Sequence, residues 1–252
     1  MSYSGLIAGG FSLPRLVIIT SECFEKIIGF LGQYSNPLLP TKQWGEGFGF
    51  LFCQSTPHYY VVEDAIGAAT GERAGGSLKG EEMAVVEFAR EQRPDLHLGG
   101  WFHSHPGRGL FFSPTDQENQ LAYQQDNQDG LGIVWDHTLV GQSGKGLGLK
   151  VFRIVDPAAI DYAEVNFQVS GFSQALLEQV YGALGFSNAA INSAWRQLEV
   201  GGITLSLDAE QVLKGEAIVG NLRDVLENSE EKVERVAKES REVAESSQQI
   251  LW

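Results

Sequence analysis

Two histidines and one aspartate stand close together in a segment with the residue types of a metal site. The segment reads His-Ser-His-Pro-Gly-Arg-Gly-Leu-Phe-Phe-Ser-Pro-Thr-Asp, from His103 to Asp116. The apolar residues just before it predict a short buried strand, so His103 and His105 point to one face. Ser113, followed by proline, predicts the N-cap of a helix with Asp116 in its first turn. Two imidazoles and a carboxylate therefore converge, and three such ligands plus a water molecule make up a catalytic zinc site.

A second interpretation of the same segment needs no metal. The spacing Ser113-x-x-Asp116 is also that of a capping box, in which the aspartate supports the helix N-terminus. Paired histidines are also common at protein surfaces and in satisfied cores. The whole pattern His-x-His-x7-Ser-x-x-Asp is nevertheless expected by chance in fewer than roughly one in a thousand chains of this length. The combination favours a metal site, and capping can coexist with it.

The chemistry that such a site supports is metal-assisted hydrolysis of an amide. One zinc ion per chain, held by three protein ligands, lowers the pKa of its bound water to about 7 and polarises an adjacent carbonyl. A carboxylate base is also needed, and it has to come from elsewhere because Asp116 is used by the metal. A donor is needed where negative charge develops on the carbonyl oxygen. Ser113 is well placed for that role.

The elements that position this segment follow from hydrophobic patterning. Strands are predicted at 14–20, 47–53, 58–65, 99–105, 131–135, 149–155 and 163–169. Helices are predicted at 22–33, 81–92 and 114–126, the first capped by Ser21. Residues 66–80, rich in glycine and alanine, predict a long loop that could serve function or plain connection equally well. This order predicts an α/β or α+β layered fold over residues 1–170.

Residues 171–252 are predicted to form a helical C-terminal extension. Helices are expected at 173–184 and 187–199, followed by a long stretch from about 208. Nine positions of that stretch repeat four and three apart like a heptad seam, and three of the nine are serine. The pattern fits a coiled coil or a helix that docks on a partner, and it also fits a solvated tail with nascent helix.

Net charge, apolar runs and cysteine content indicate which kinds of partner and which cellular compartment to expect. The 252-residue chain carries a net charge of −14, which disfavours nucleic acid and anionic membranes and favours a basic protein surface. No apolar run reaches the roughly eighteen residues needed to span a bilayer. The two cysteines, Cys23 and Cys53, lie among apolar residues and form no disulfide framework. A reduced, cytoplasmic protein is therefore expected.

The central segment resembles the JAMM motif of the MPN-domain metalloproteases, which include deubiquitinating isopeptidases. That motif also has an upstream glutamate in the form Glu-x-x-Gly-apolar-apolar, and Glu46-Gly-Phe-Gly-Phe-Leu matches it. The resemblance implies an MPN fold with a curved β-sheet flanked by helices. It implies that His103, His105 and Asp116 bind zinc, that Glu46 is the general base, and that Ser113 stabilises the tetrahedral intermediate.

The likeness covers about residues 14–156. Within it, His-Ser-His-Pro-Gly-x-Gly and the stretch Gly132-Ile-Val-Trp-Asp136 resemble the branch that contains the proteasome lid deubiquitinase and the signalosome deneddylase. Leu110-Phe111 stands where that branch has Cys-Trp, and Pro114 stands where it has glycine. The resemblance implies that Gly75, Gly76 and Ser77 bind the extended tail of the modifier. It also implies that the C-terminal helices join an MPN-type or proteasomal partner subunit.

Three functions remain open at this stage. The leading hypothesis is a zinc isopeptidase that removes ubiquitin or a ubiquitin-like modifier from a lysine side chain. The second is a catalytically silent MPN scaffold subunit, although all five motif positions are present here. The third is a metallohydrolase that acts on a small peptide or amide.

Overall fold

The computed structural model describes one curled eight-stranded sheet, four α-helices with defined bounds, and further helical residues at 84, 87–88 and 90–91, inside the helix predicted at 81–92. The described residues are 16–56, 59–70, 84, 87–88, 90–91 and 93–200. The strands are β1 (Leu16–Thr20), β2 (Gly47–Ser55), β3 (Tyr59–Thr70), β4 (His97–Ser104), β5 (Leu131–Trp135), β6 (Leu149–Asp156), β7 (Asp161–Val165) and β8 (Phe167–Ser170). The helices are α1 (Ser21–Gly32), α2 (Pro114–Asp126), α3 (Gln174–Ala183) and α4 (Asn188–Val200). The predicted α+β layered fold of MPN type is confirmed.

The strand order explains why the sheet is curled. The order is β7-β6-β5-β4-β2-β3-β1-β8, so β7 and β8 lie at opposite edges. Asn166 is the single residue between these two strands, and its carbonyl accepts the Val17 N–H at 3.3 Å. Because one residue links the two edges, they have to approach each other at that end of the sheet. The prediction of one strand at 163–169 was therefore wrong, since an apolar alternation does not reveal where a chain changes edge.

Helix α1 covers one face of the sheet. Its buried side chains include Phe24, Ile27, Ile28 and Leu31, which is the predicted helical spacing. The N-cap is Thr20 rather than Ser21, since Thr20 ends β1 in an extended conformation and its hydroxyl accepts the Cys23 N–H at 3.1 Å.

Helices α3 and α4 pack against the same hydrophobic core as α1. Tyr181 is fully buried and its hydroxyl donates to the carbonyl of Leu147 at 2.7 Å. Leu177, Ile191 and Ala194 join the same cluster of buried side chains. The division of the chain at residue 170 stays a prediction.

The opposite face holds a smaller core beneath α2. Trp101, Phe112, Val134 and Phe152 are its buried members. A polar network crosses this core, because the indole N–H of Trp101 donates to the Gln120 amide oxygen at 2.6 Å. The Gln120 amide nitrogen in turn donates to Gln124 at 2.8 Å and to the carbonyl of Gly130 at 3.0 Å. These contacts fix α2 against β4 and β5.

Strand β3 is longer than the sequence indicates. Residues 66–70 continue the antiparallel ladder with β2 as far as the Gly47–Thr70 pair, although they were predicted to begin a loop. The small residues of this stretch carry little strand signal, and pairing with β2 decides their conformation. Residues 71–80, with Gly75, Gly76 and Ser77, lie outside the described residues, as do 201–252 with the heptad seam. None of the helices that the structure describes is long and apolar enough to cross a membrane.

Candidate metal centre

Two imidazole nitrogens and one carboxylate oxygen form a buried triangle at one end of the sheet. His103 lies near the end of β4, His105 follows that strand, and Asp116 is the third residue of α2. The Nε2 atoms of His103 and His105 are 3.0 Å apart. Asp116 Oδ2 lies 3.5 Å from Nε2 of His103 and 3.4 Å from Nε2 of His105. The three side chains come from the C-terminal end of β4, the residue that follows it and the first turn of α2, and all three residues are at most 7% exposed.

These distances fit a tetrahedral zinc ion. Bonds of about 2.0–2.1 Å at a tetrahedral angle separate neighbouring ligand atoms by about 3.3 Å. The three observed separations of 3.0, 3.5 and 3.4 Å bracket that value. Among the residues that the structure describes, no other set of three histidine, cysteine or acidic side chains meets in this way. The triangle leaves a fourth ligand position for water or substrate.

Strand pairing and ring stacking hold the two imidazoles in place. The His105 N–H donates to the carbonyl of Trp135 at 2.8 Å, which extends the parallel pairing of β4 with β5 by one residue. The His103 ring stacks on Trp101 with ring centres 4.6 Å apart. His105 Nδ1 lies 3.3 Å from the carbonyl oxygen of Gly109. An Nδ1–H that donates there leaves the Nε2 lone pair of His105 free for a metal.

The capping interpretation and the metal interpretation involve the same atoms. Asp116 Oδ2 accepts the Ser113 backbone N–H at 2.7 Å and the Ser113 hydroxyl at 2.6 Å. The Ser113 hydroxyl oxygen in turn accepts the Asp116 N–H at 3.2 Å, which completes a capping box. The capping box therefore fixes the carboxylate oxygen that faces the two imidazoles.

The protonation states at this site suit a metal. Burial lowers the pKa of His103, and the hydrogen bond with Asp116 offsets only part of that effect. Burial by itself would raise the pKa of Asp116, but hydrogen bonds from His103, His105 and Ser113 lower it well below its usual range. The neutral imidazole and the anionic carboxylate are the forms that bind metal ions.

Glu46 lies at the same end of the sheet as the triangle. It immediately precedes β2, whose register pairs Phe48 with His103. The Gly47 N–H donates to the Ser104 hydroxyl at 3.0 Å, which continues that alignment. The Glu46 side chain is 28% exposed and forms an ion pair with Arg108, which is 51% exposed. The proposed base thus has a cationic neighbour on the turn that follows the second histidine.

The structure brings together His103, His105, Ser113 and Asp116, with Glu46 at the adjacent strand end. Sequence reasoning assigned no role to two other polar residues of this region, Arg108 and Asp136. Arg108 is a single charged residue in a glycine-rich turn, and Asp136 lies 31 positions beyond His105. Asp136 reaches the site only because β5 pairs with β4. Local sequence patterns do not contain that information.

No protein-family model matches the chain. Three similar proteins give partial matches. Ubiquitin carboxyl-terminal hydrolase RPN11 of Saccharomyces cerevisiae is 31% identical over 80 residues, which are 31% of this chain and 25% of that protein. AMSH-like ubiquitin thioesterase 2 of Arabidopsis thaliana is 30% identical over 82 residues, 32% of this chain and 34% of that protein. COP9 signalosome complex subunit 5 of Drosophila melanogaster is 29% identical over 105 residues, 40% of this chain and 32% of that protein. The matches thus span about a quarter to a third of each relative's length.

Proposed function

We propose that this chain, whose resemblance to the JAMM/MPN+ metalloproteases is confirmed by these relatives, is a zinc-dependent isopeptidase. Its substrate would be the amide that joins the C-terminus of ubiquitin or a ubiquitin-like modifier to a lysine side chain. The observation that supports the proposal most directly is the buried triangle of two Nε2 atoms and one Oδ2 atom, separated by 3.0–3.5 Å. Two of the relatives carry ubiquitin hydrolase or thioesterase in their names.

In this proposal each side chain has one task. His103, His105 and Asp116 would hold the zinc ion, which when bound would supply water activation and polarisation of the scissile carbonyl. The Glu46 carboxylate takes a proton from the attacking water and delivers it to the departing lysine amine. The Ser113 hydroxyl donates to the carbonyl oxygen as negative charge develops there. In the described structure that hydroxyl donates to Asp116, so it would exchange one acceptor for another.

Arg108 bears directly on the role of Glu46. Its guanidinium contacts Oε1 of the carboxylate, so that oxygen can accept a proton only when the ion pair opens. Opening costs little, because ion pairs with this much solvent exposure contribute about 0–1 kcal/mol. Arg108 lies in a turn between Gly107 and Gly109, and more than half of its side chain is already in solvent. We therefore regard the pair as compatible with catalysis.

The surface beside the triangle offers an apolar contact for a protein substrate. Phe111 is 40% exposed, and its ring centre lies 5.0 Å from that of His105. An exposed aromatic ring next to reactive atoms is a common contact point for a peptide chain. The pairing of Gly75, Gly76 and Ser77 with the modifier tail stays a prediction. So do docking of the C-terminal helices on a partner subunit and a cytoplasmic location.

The proposal is tested with a panel of modifier–lysine conjugates and a short peptide amide, each incubated with the purified chain with and without a chelator. We expect about one zinc per chain by metal analysis, and conjugate cleavage that the chelator abolishes. Glu46→Gln should retain zinc and lose about 10²–10⁴-fold in rate, whereas His103→Ala should lose the zinc itself.

The rival functions give different results in the same experiment. A silent scaffold subunit would bind zinc and cleave nothing. A small-substrate hydrolase would cleave the peptide amide and leave the conjugates intact. A native chain without zinc, or cleavage that persists in chelator, would refute the proposed metal chemistry.

A further inference from the structure

A fully buried carboxylate lies behind the turn that follows the second metal ligand. Asp136 follows β5 directly and is 0% exposed. Its Oδ1 accepts the Gly107 N–H at 3.0 Å, and its Oδ2 accepts the Gly109 N–H at 2.7 Å. Oδ1 also accepts the backbone N–H of Thr138 at 3.0 Å and its hydroxyl at 2.7 Å. Two of the four hydrogen bonds to this anion therefore come from the turn.

The turn depends on these bonds for its orientation. Gly107 and Gly109 have φ angles of +72° and +103°, a backbone conformation that residues with a Cβ rarely adopt. Glycines in a short turn have many alternative conformations, so a fixed acceptor is needed to select one of them. Asp136 is itself anchored, because its backbone N–H donates to the carbonyl of Gly148 at 2.9 Å.

The same turn contacts the imidazole of His105. Gly109 donates its N–H to Asp136 and presents its carbonyl to His105 Nδ1 at 3.3 Å. The Arg108 N–H donates to the His105 carbonyl at 3.0 Å, which closes the turn on itself. The position of the Gly109 carbonyl selects the ring rotation and the tautomer that turn Nε2 toward Asp116.

We infer that Asp136 is a positioning residue for the metal centre, acting on His105 through the backbone of Gly107 and Gly109. The inference rests on the proposed function in that the triangle is taken to bind zinc. Hydrogen bonds to an ionised acceptor are roughly twice as strong as those between neutral groups, so a carboxylate suits the task. Loss of an outer partner of this kind typically lowers metal affinity by about 10–100-fold.

The competing explanation is that Asp136 serves only the short 3₁₀ helix His137–Leu139, which it caps through Thr138. Two variants separate the explanations. Asp136→Asn places an amide N–H₂ against one of the turn's N–H groups and so removes a bond to the turn. Thr138→Val removes only the hydroxyl bond to the same carboxylate and leaves the Gly107 and Gly109 bonds intact.

The measurement is zinc affinity by competition with a chromophoric chelator, together with the visible spectrum of the Co²⁺-substituted chain. We expect Asp136→Asn to lower zinc affinity by about 10–100-fold and to change the Co²⁺ bands. Thr138→Val should match the unsubstituted chain in both readouts. Unchanged affinity and spectrum in Asp136→Asn, or an equal loss in Thr138→Val, would overturn the inference.

Separate controls test whether the variants fold and whether the native chain binds metal. If circular dichroism shows that Asp136→Asn does not fold, Asp136→Glu replaces it. That variant keeps the charge but displaces the carboxylate by one methylene, so it should lower the affinity, and an unchanged affinity would overturn the inference. A native chain that binds neither metal refutes the proposed function itself. If the native chain binds zinc and Asp136→Asn has the same zinc affinity and Co²⁺ spectrum, only the role of Asp136 is refuted.

Discussion

Ser113→Ala separates the helix-capping role of this serine from its role at the metal centre. The Ser113 hydroxyl accepts the Asp116 N–H at 3.2 Å and donates to Asp116 Oδ2 at 2.6 Å. Ser173 provides a matched control, because it caps α3 and accepts the Leu176 N–H at 3.1 Å. The two serines differ in that Ser113 also donates to a carboxylate of the proposed metal site. The difference between the two alanine variants therefore isolates that second bond.

The magnitudes follow from these contacts. Loss of a serine N-cap costs about 1 kcal/mol, which is the whole effect expected for Ser173→Ala. A hydrogen bond to a charged group contributes about 1.5–3 kcal/mol, so Ser113→Ala should cost about 2–4 kcal/mol in the metal-free chain. For a chain of this size, each kcal/mol lowers the melting temperature by about 2–4 °C. The Ser113 backbone N–H remains bonded to Asp116 at 2.7 Å, which favours the lower part of the range.

The assay is urea denaturation of both variants in chelator, followed by conjugate cleavage at saturating zinc. If Ser113 also donates to the developing negative charge, Ser113→Ala should lose about 10²–10³-fold in kcat while Ser173→Ala keeps its full rate. Equal losses of stability in the two variants would show that the Ser113–Asp116 bond contributes nothing. A large loss of stability in Ser113→Ala with an unchanged kcat would refute the catalytic role of Ser113 and support a role in helix capping alone.

Three further predictions concern the sheet, the core and the pH dependence. Gly49→Ala should lower the free energy of unfolding by about 1–3 kcal/mol in urea denaturation, because a Cβ there would come within 2.3 Å of the Ile66 carbonyl oxygen. Gly29→Ala is the control, since a Cβ there would meet no atom within 4 Å, and it should be neutral or stabilising. Equal effects of the two substitutions would contradict the close packing at Gly49. Gln124→Leu should cost about 1–3 kcal/mol because it removes both partners of the buried Ile154 peptide groups, and a neutral result would contradict this. The free energy of unfolding of the metal-free chain should fall as the pH drops below about 6.5, since burial lowers the pKa of three histidines that take up protons on unfolding. They are His97, His103 and His137. Equal urea midpoints at about pH 7.5 and about pH 5.5 would contradict that sign.

The features that could be predicted from the sequence are those that depend on neighbours along the chain. The ligand pair and Asp116 lie within 14 residues, and the strand, turn and helix start that bring them together are each indicated locally. Helix α1 likewise follows from its apolar spacing. Features that depend on distant pairing were predicted wrongly or missed. The extension of β3, the split of 163–169 into two edge strands and the contacts of Asp136 all require knowledge of which strands become neighbours.

The pattern Glu-x-x-Gly depends both on neighbours along the chain and on pairing with a distant strand. Glu46 reaches the metal end of β4 only if β2 pairs with β4 in the observed register, since a slip of one residue would turn its side chain to the other face. Gly49 helps to set that register, because a Cβ at this position would lie 2.3 Å from both the Ile66 carbonyl and the Phe102 ring. The Ile66 carbonyl of β3 and the Phe102 ring of β4 therefore fill the space that a side chain at position 49 would need. The glycine of the pattern thus positions the strand, and the glutamate three residues earlier is carried to the site by that register.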